Sequence, residues 1–142
     1  MADTDSYEVL VLGSGEAGKY LAWTMSAAGH RTAVIERRFI GGSCPNIACL
    51  PSKNMIHSAK VKSLAAHGSA FGLDTGPIGT DMQAVQQRKR RMVEDLISVH
   101  VGRYEPAGVE LIMGNARFVA PRAVEVHREG ADTRVITGER VF

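Results

Sequence analysis

The stretch VLGSGEAG, residues 11–18, constrains the fold more than any other part of the chain. It places Gly13, Gly15 and Gly18 in the spacing GxGxxG. The preceding residues 7–12, YEVLVL, are apolar and β-branched and read as a buried parallel strand. Residues 16–28 read as a helix, with Tyr20, Leu21, Trp23, Thr24 and Ala27 or Ala28 spaced to face a sheet, and Gly29 ends it. Residues 31–36, RTAVIE, form a second strand. Together these make a βαβ unit of about thirty residues, the length this motif requires.

In that context each glycine has a physical task. Gly13 permits the tight turn off the strand, Gly15 lets a pyrophosphate approach the backbone, and Gly18 lets helix and strand pack closely. The free N–H groups of the helix start bind the phosphate. Glu36 closes the second strand about twenty residues after the glycines, where a ribose hydroxyl pair is recognised. The pattern predicts a dinucleotide site and leaves NAD and FAD as alternatives, because both carry the same adenosine diphosphate half.

Past this unit, residues 40–50 are a glycine-rich connection and residues 52–67 a helix, with Met55, Ile56, Ala59, Leu64 and Ala65 at helical spacing. Residues 68–80 read as a Gly- and Pro-rich loop. Residues 81–104 read as a long helix, with Met82, Val85, Met92, Val93, Leu96 and Ile97 along one side. Residues 109–113 read as a strand, residues 118–127 and 133–136 as a hairpin around REGAD, and Val141 and Phe142 as the start of a further strand. The fold class expected is α/β: a Rossmann-like parallel sheet with helices plus a β-hairpin or meander, incomplete at its C-terminal end.

Bulk properties exclude several classes. A net charge of +2 over 142 residues is too small to indicate nucleic acid or a membrane surface. The basic run QQRKRRM, residues 86–92, is followed at once by Glu94 and Asp95 and reads as the solvated face of a helix. No apolar run approaches the roughly 20 residues of a membrane helix. Residues 1–6 resemble neither a signal nor a transit peptide, so the expected compartment is the cytoplasm. There, a close cysteine pair is catalytic or metal-binding more often than a structural staple.

The chain has two cysteines, and GGSCPNIACLPSK, residues 41–53, holds both. Cys44 and Cys49 stand alone, without the second Cys or His pair that a structural zinc site requires, so no metal site is assigned. In regular helix, residues five apart have Cα atoms about 8–9 Å apart, whereas a disulfide requires roughly 4.4–6.8 Å. The backbone must therefore be irregular between them if they bridge. Pro45 disfavours helix at Cys44, and Pro51 lacks an N–H to bond back to Ile47. A helix start lowers a thiol's pKa, and Lys53, four residues after Cys49, adds a cation on the same face.

With these motifs in hand, the chain resembles the pyridine nucleotide–disulfide oxidoreductases, the family of glutathione reductase, dihydrolipoamide dehydrogenase and mercuric reductase. The matching residues are Gly13, Gly15, Gly18, Glu36, the run Gly41-Gly42-Ser43-Cys44, Cys49, and Pro51-Ser52-Lys53, with Gly114, Ala116 and Phe118 later. The resemblance implies FAD. Gly13, Ser14, Gly15, Glu16, Ala17 and Gly18 would surround the pyrophosphate, and Glu36, with Arg37 beside it, the adenosine ribose. Gly42 and Ser43 would follow the pyrophosphate and ribityl chain, and Gly114 to Ala116 would meet the adenine. Cys49 would be the thiolate against the flavin ring, Lys53 would reach the flavin, and Cys44, the more exposed, would attack the substrate.

The resemblance further implies an enzyme that moves electrons from NAD(P)H through FAD to the Cys44–Cys49 pair, and on to a small-molecule disulfide or mercuric ion. The parent would be a homodimer. Residues 1–142 correspond to the N-terminal part of the FAD-binding domain, without the NAD(P) and dimerisation domains. A truncated FAD-binding module without turnover and an NAD-dependent Rossmann dehydrogenase are the alternatives.

Overall fold

The chain, in a computed structural model that describes residues 5–128, 130 and 132–142, runs β1 (Asp5–Leu12), α1 (Glu16–Ala27), β2 (Thr32–Glu36), α2 (Ser43–Asn46), α3 (Cys49–Ala66), α4 (Met82–Tyr104), β3 (Val109–Met113), β4 (Asn115–Ala120), β5 (Ala123–His127) and β6 (Arg134–Val141). The strands form one sheet in the order β3-β2-β1-β6-β5-β4. The first four in that order are parallel. β4, β5 and β6 pair antiparallel as a meander. This is the expected α/β class.

Alternation along β1 and β2 builds the core on both faces. Leu10, Ala33 and Ile35 join Tyr7, Ile112, Val124, Val126 and Ile136 in one cluster. Val9, Val11 and Val34 join Ala22, Trp23, Tyr104 and Val109 in the other, beneath α1 and the end of α4. Strands buried on both faces are what a parallel sheet demands. No helix among the described residues is long and apolar enough to cross a membrane.

Several expectations are corrected. The inward face of α1 is Lys19, Ala22 and Trp23, while Tyr20 and Thr24 are exposed. The helix is turned so that Lys19 meets partners described below. The apolar stripe of α3 does not reach the sheet. Met55, Ile56 and Leu64 are exposed, and Pro51 is its buried residue, because α1 and α4 occupy the sheet face and α3 packs on α4.

α3 begins at Cys49, three residues before the expected start. Pro51 lies in its first turn, where a missing N–H leaves nothing unpaired. Residues 43–46 are helical despite Pro45 for the same reason, and the irregular backbone falls at Ile47 and Ala48. The two cysteines therefore stand on separate helical segments. The 68–80 loop opens with a 3₁₀ turn, Gly68–Phe71.

The span 118–127, read as one strand, is broken by a turn at Pro121 and Arg122, the latter with φ +62°. Residues 134–141 are one continuous strand, because Gly138 lets β6 lie close on Leu10 rather than ending it. Of the REGAD connection, Glu129 and Ala131 lie outside the described residues, as do residues 1–4 of the N-terminal segment.

Candidate functional site

The glycine turn sits at the carboxyl end of β1, beside the ends of β2 and β3, where open α/β sheets bind ligands. Gly13 adopts φ +105°, and its N–H reaches the carbonyl of Ile35 at 2.8 Å. A methyl group on Gly18 would run into the Gly13 carbonyl, so helix and turn meet backbone to backbone. Gly15 is the N-cap of α1, and no side chain caps that end. The first intrahelical bond is Lys19 N–H to the Gly15 carbonyl at 3.0 Å, which leaves the N–H groups of residues 15–18 as donors for an anion, those of Gly13 and Ser14 being taken by Ile35 and Glu36.

Ser14 and Glu36 lock this turn to β2. Glu36 is only 7% exposed. One carboxylate oxygen accepts from the Ser14 amide at 2.9 Å and the Ser14 hydroxyl at 2.7 Å. The other accepts from the amides of Arg38 at 2.8 Å and Phe39 at 3.1 Å. Burial pushes the Glu36 carboxyl up, but the bonds from Ser14, Arg38 and Phe39 outweigh it and hold it below the usual range. The four donors fill the lone-pair sites of the carboxylate. Glu36 thus builds the cradle from inside, and a ribose would have to share or displace an amide of the 38–39 turn. Ser14 is wholly buried and turned inward, and its hydroxyl also accepts from the Gly41 amide at 3.0 Å. A cleft of about 310 Å³ opens beside the turn, lined by Gly13, Glu36, Arg37, Gly114, Asn115 and Ala116 among others. The candidates Arg37, Gly114 and Ala116 are thereby brought to one place, with Asn115 added. A second hollow lies over Gly15, Glu16, Ala17 and Gly18.

The thiol loop meets the same turn. Gly42, at φ +81°, lies so close to Gly15 that a methyl group there would stand 2.7 Å from the Gly15 α-carbon. Ser43 and Cys44 follow in α2, and Cys49 opens α3. Both cysteines are free thiols, and Cys49 is the neighbour that bears most on the Cys44 thiol.

One expectation changes here. Cys49 is exposed and Cys44 half-buried, the reverse of the expected order, because Cys44 sits in the short α2 turn anchored by buried Pro45. The Cys44 thiol is raised: the neighbouring Cys49 favours its protonated form, with burial and the charges of Cys49 and Glu16 adding to this and Lys53 opposing. Lys53 is exposed, and its charge opposes the rise at Cys44. Among the described residues no three of His, Cys, Asp and Glu converge as a metal-ligand set.

A buried polar cluster lies behind the loop. Lys19, 3% exposed, bonds Glu16 at 2.6 Å and the Nε2 of His100 on α4 at 3.2 Å. Burial, then the Lys19 ammonium, lowers the His100 pKa. The ring is therefore neutral, accepting at Nε2 and carrying its proton on Nδ1. That Nδ1 is buried without a partner and faces Gly41, where an added methyl group would stand 2.5 Å from it. One turn on, the hydroxyl of Tyr104 is pushed up to about 12 by burial. Sequence reasoning passed over Lys19 and His100. The signal was the stripe 19, 22, 23, 26, which is helical only if the lysine is counted inward.

These features agree with comparisons to known proteins. The family model described as pyridine nucleotide-disulphide oxidoreductase matches residues 7–141. A dihydrolipoyl dehydrogenase of Vibrio cholerae is 35% identical over 133 residues, covering 90% of this chain and 27% of its own length. A mercuric reductase of Staphylococcus aureus is 29% identical over 129 residues, covering 90% of this chain and 24% of its own length. Among solved structures, the HOCl-induced flavoprotein disulfide reductase RclA of Escherichia coli, as a Cu(II) complex, superimposes with a TM-score of 0.82 at 30% identity, covering 98% of this chain and 28% of that one. The chain belongs to the pyridine nucleotide-disulphide oxidoreductase family, whose members are flavin-dependent enzymes. It spans about a quarter of the length of the curated relatives it matches.

Proposed function

We propose that these residues are the flavin- and thiol-bearing part of an FAD-dependent NAD(P)H:disulfide or mercuric ion oxidoreductase. The observation that carries this reading is the Gly15–Gly42 contact, which seats a thiol pair directly against an uncapped helix start suited to a pyrophosphate. FAD fits the residues present: a glycine turn whose Gly13 and Gly15 face open space, and a cleft running past Glu36 to Gly114 and Ala116. Gly13 to Gly18, Gly42 and Ser43 would hold the phosphates and ribityl chain, Glu36 and Arg37 the ribose end, and Cys49 and Lys53 the ring. When bound, FAD supplies the carrier that exchanges two electrons with the cysteine pair. The protein's own residues orient the turn (Ser14, Glu36), favour the protonated Cys44 through the neighbouring Cys49, and supply the Lys53 charge.

The reading includes NAD(P)H as donor and a homodimeric parent, with residues 1–142 as the N-terminal part of the FAD-binding domain. It places the protein in the cytoplasm, where thiols are kept reduced. A second reading, an FAD-binding module that does not turn over by itself, is favoured by the quarter-length match. Adding FAD to the purified chain, recording its visible spectrum and titrating in a dithiol tests both. A bound-flavin spectrum with a long-wavelength band on reduction, lost in Cys49→Ser, is expected; a chain that leaves added FAD free rejects the proposal. Turnover with NADPH or NADH on this chain would reject the second reading.

A further inference from the structure

We propose that Glu16 sorts the electron acceptors of the Cys44–Cys49 dithiol by charge, favouring cationic and neutral acceptors over anionic ones. The proposal rests on the redox-dithiol reading above.

The placement comes from the backbone. Because Gly15 and Gly42 meet directly, the first turn of α1 and the thiol loop share one edge, with Glu16 one residue from the contact and Cys44 two residues from it. The Glu16 side chain is 55% exposed, whereas its partner Lys19 is 3% exposed. The ion pair therefore stands on end, with its carboxylate toward solvent, on the helix turn that meets the thiol loop, and its ammonium in the protein.

The orientation is held from behind. Lys19 is fixed between Glu16, the Nε2 of His100 and the ring of Tyr20, 5.4 Å from its centroid. A neutral His100 adds no second positive charge. The Glu16 charge reaches the reacting sulfur, since it helps hold the Cys44 proton on, and Lys53 is the cation that opposes it there. An incoming anion meets the same charge.

The reaction that would read this out is thiol–disulfide exchange. A protein thiolate attacks one sulfur of the acceptor, forming a mixed disulfide and releasing one thiolate. The second cysteine then attacks the mixed disulfide, forms the Cys44–Cys49 bond and releases the other. Two protein thiols are oxidised, one small disulfide is reduced to two thiols, and the protein's two protons pass to solvent or to the released thiolates.

The pre-reduced chain, freed of reductant, is mixed at low salt with cystamine (dicationic), bis(2-hydroxyethyl) disulfide (neutral) and 3,3′-dithiodipropionate (dianionic). Loss of protein thiols is followed in time. Each rate is divided by that of dithiothreitol with the same disulfide, then by the value for the neutral disulfide, which removes changes in intrinsic thiol reactivity. The expected preference for cystamine over dithiodipropionate is about fivefold per unit of acceptor charge, the Coulomb interaction of two unit charges about 4 Å apart in bulk water. It collapses toward one in Glu16→Gln, reverses in Glu16→Lys, and collapses for the unaltered chain in about 1 M salt, where the screening length is about 3 Å. The salt arm needs no variant to fold.

A preference identical in the unaltered chain and Glu16→Gln, or unmoved by salt, overturns the proposal while leaving the dithiol intact. A chain that loses no thiols to any of the three disulfides, or that gives stable mixed disulfides with no Cys44–Cys49 bond, overturns the dithiol reading and the proposal with it.

Discussion

The Ser14 hydroxyl donates to Glu36 at 2.7 Å while accepting the Gly41 amide at 3.0 Å, so one buried side chain joins the glycine turn, the end of β2 and the thiol loop. Glu36→Gln is expected to weaken that junction. An amide offers one acceptor oxygen where four donors converge, and its NH₂ would face two of them. The loss should be about 2–4 kcal/mol, the range for leaving buried partners unpaired, measured by urea unfolding. In the unaltered protein the carboxylate is depressed in the folded state. Its contribution is therefore complete above the ordinary value of 4.5 and disappears as pH falls through the folded value, and Glu36→Gln should flatten that acid limb.

Gly42→Ala and Gly72→Ala make a paired test. Both glycines have positive φ, +81° and +76°, but an added methyl group meets the Gly15 α-carbon at 2.7 Å in the first case and open space in the second. Gly72→Ala should cost about 1–2 kcal/mol of backbone strain. Gly42→Ala should cost about 2–5 kcal/mol, since backbone must shift as well. Equal losses would mean that the two loops do not touch as described.

Lys19→Met keeps the length of a buried side chain and removes its charge. The His100 pKa is lowered by burial and then by the Lys19 ammonium. In the variant its midpoint should rise toward the ordinary value without reaching it, because burial remains. Histidine NMR against pH reads this directly. Stability should fall by about 1–3 kcal/mol as His100 Nε2 loses its donor and Glu16 its partner.

Alkylation kinetics test the thiol pair. Iodoacetamide labelling of Cys44, followed by mass spectrometry across pH, should show a midpoint above the ordinary thiol value of 9.0. Cys49→Ala removes the neighbour that favours the protonated Cys44, and the midpoint should move down. An unchanged midpoint would show that the sulfurs are not in contact.

How much of this was legible in the sequence varies with the range of the interaction concerned. The βαβ start and the paired cysteines could be read because GxGxxG and the double glycine act through local backbone geometry. The break between the cysteines is legible, but its position at Ile47 and Ala48 is not, since a proline in the first helical turn is harmless and Pro45 does not break α2. The inward face of α1 was misjudged because a lysine is normally exposed. Its burial is made tolerable by the Glu16 carboxylate on its own helix and by His100 arriving from α4, 81 residues away. The engagement of Glu36 is hidden for the same reason: the spacing gives its place at the end of β2 but not the four donors that fold back on it.

The contact between Gly15 and Gly42 bears on how such a chain can be varied or recombined. Two α-carbons with no side chain between them form a joint without slack, so a shift of one segment must be matched by the other. A crossover that takes the first glycine motif from one homologue and the thiol loop from another would join halves shaped against different partners. Chimeras cut between these residues should fail more often than those cut in the 68–80 loop, where glycines face open space. The glycine turn and the thiol loop, separated in sequence, should be exchanged between homologues as one unit.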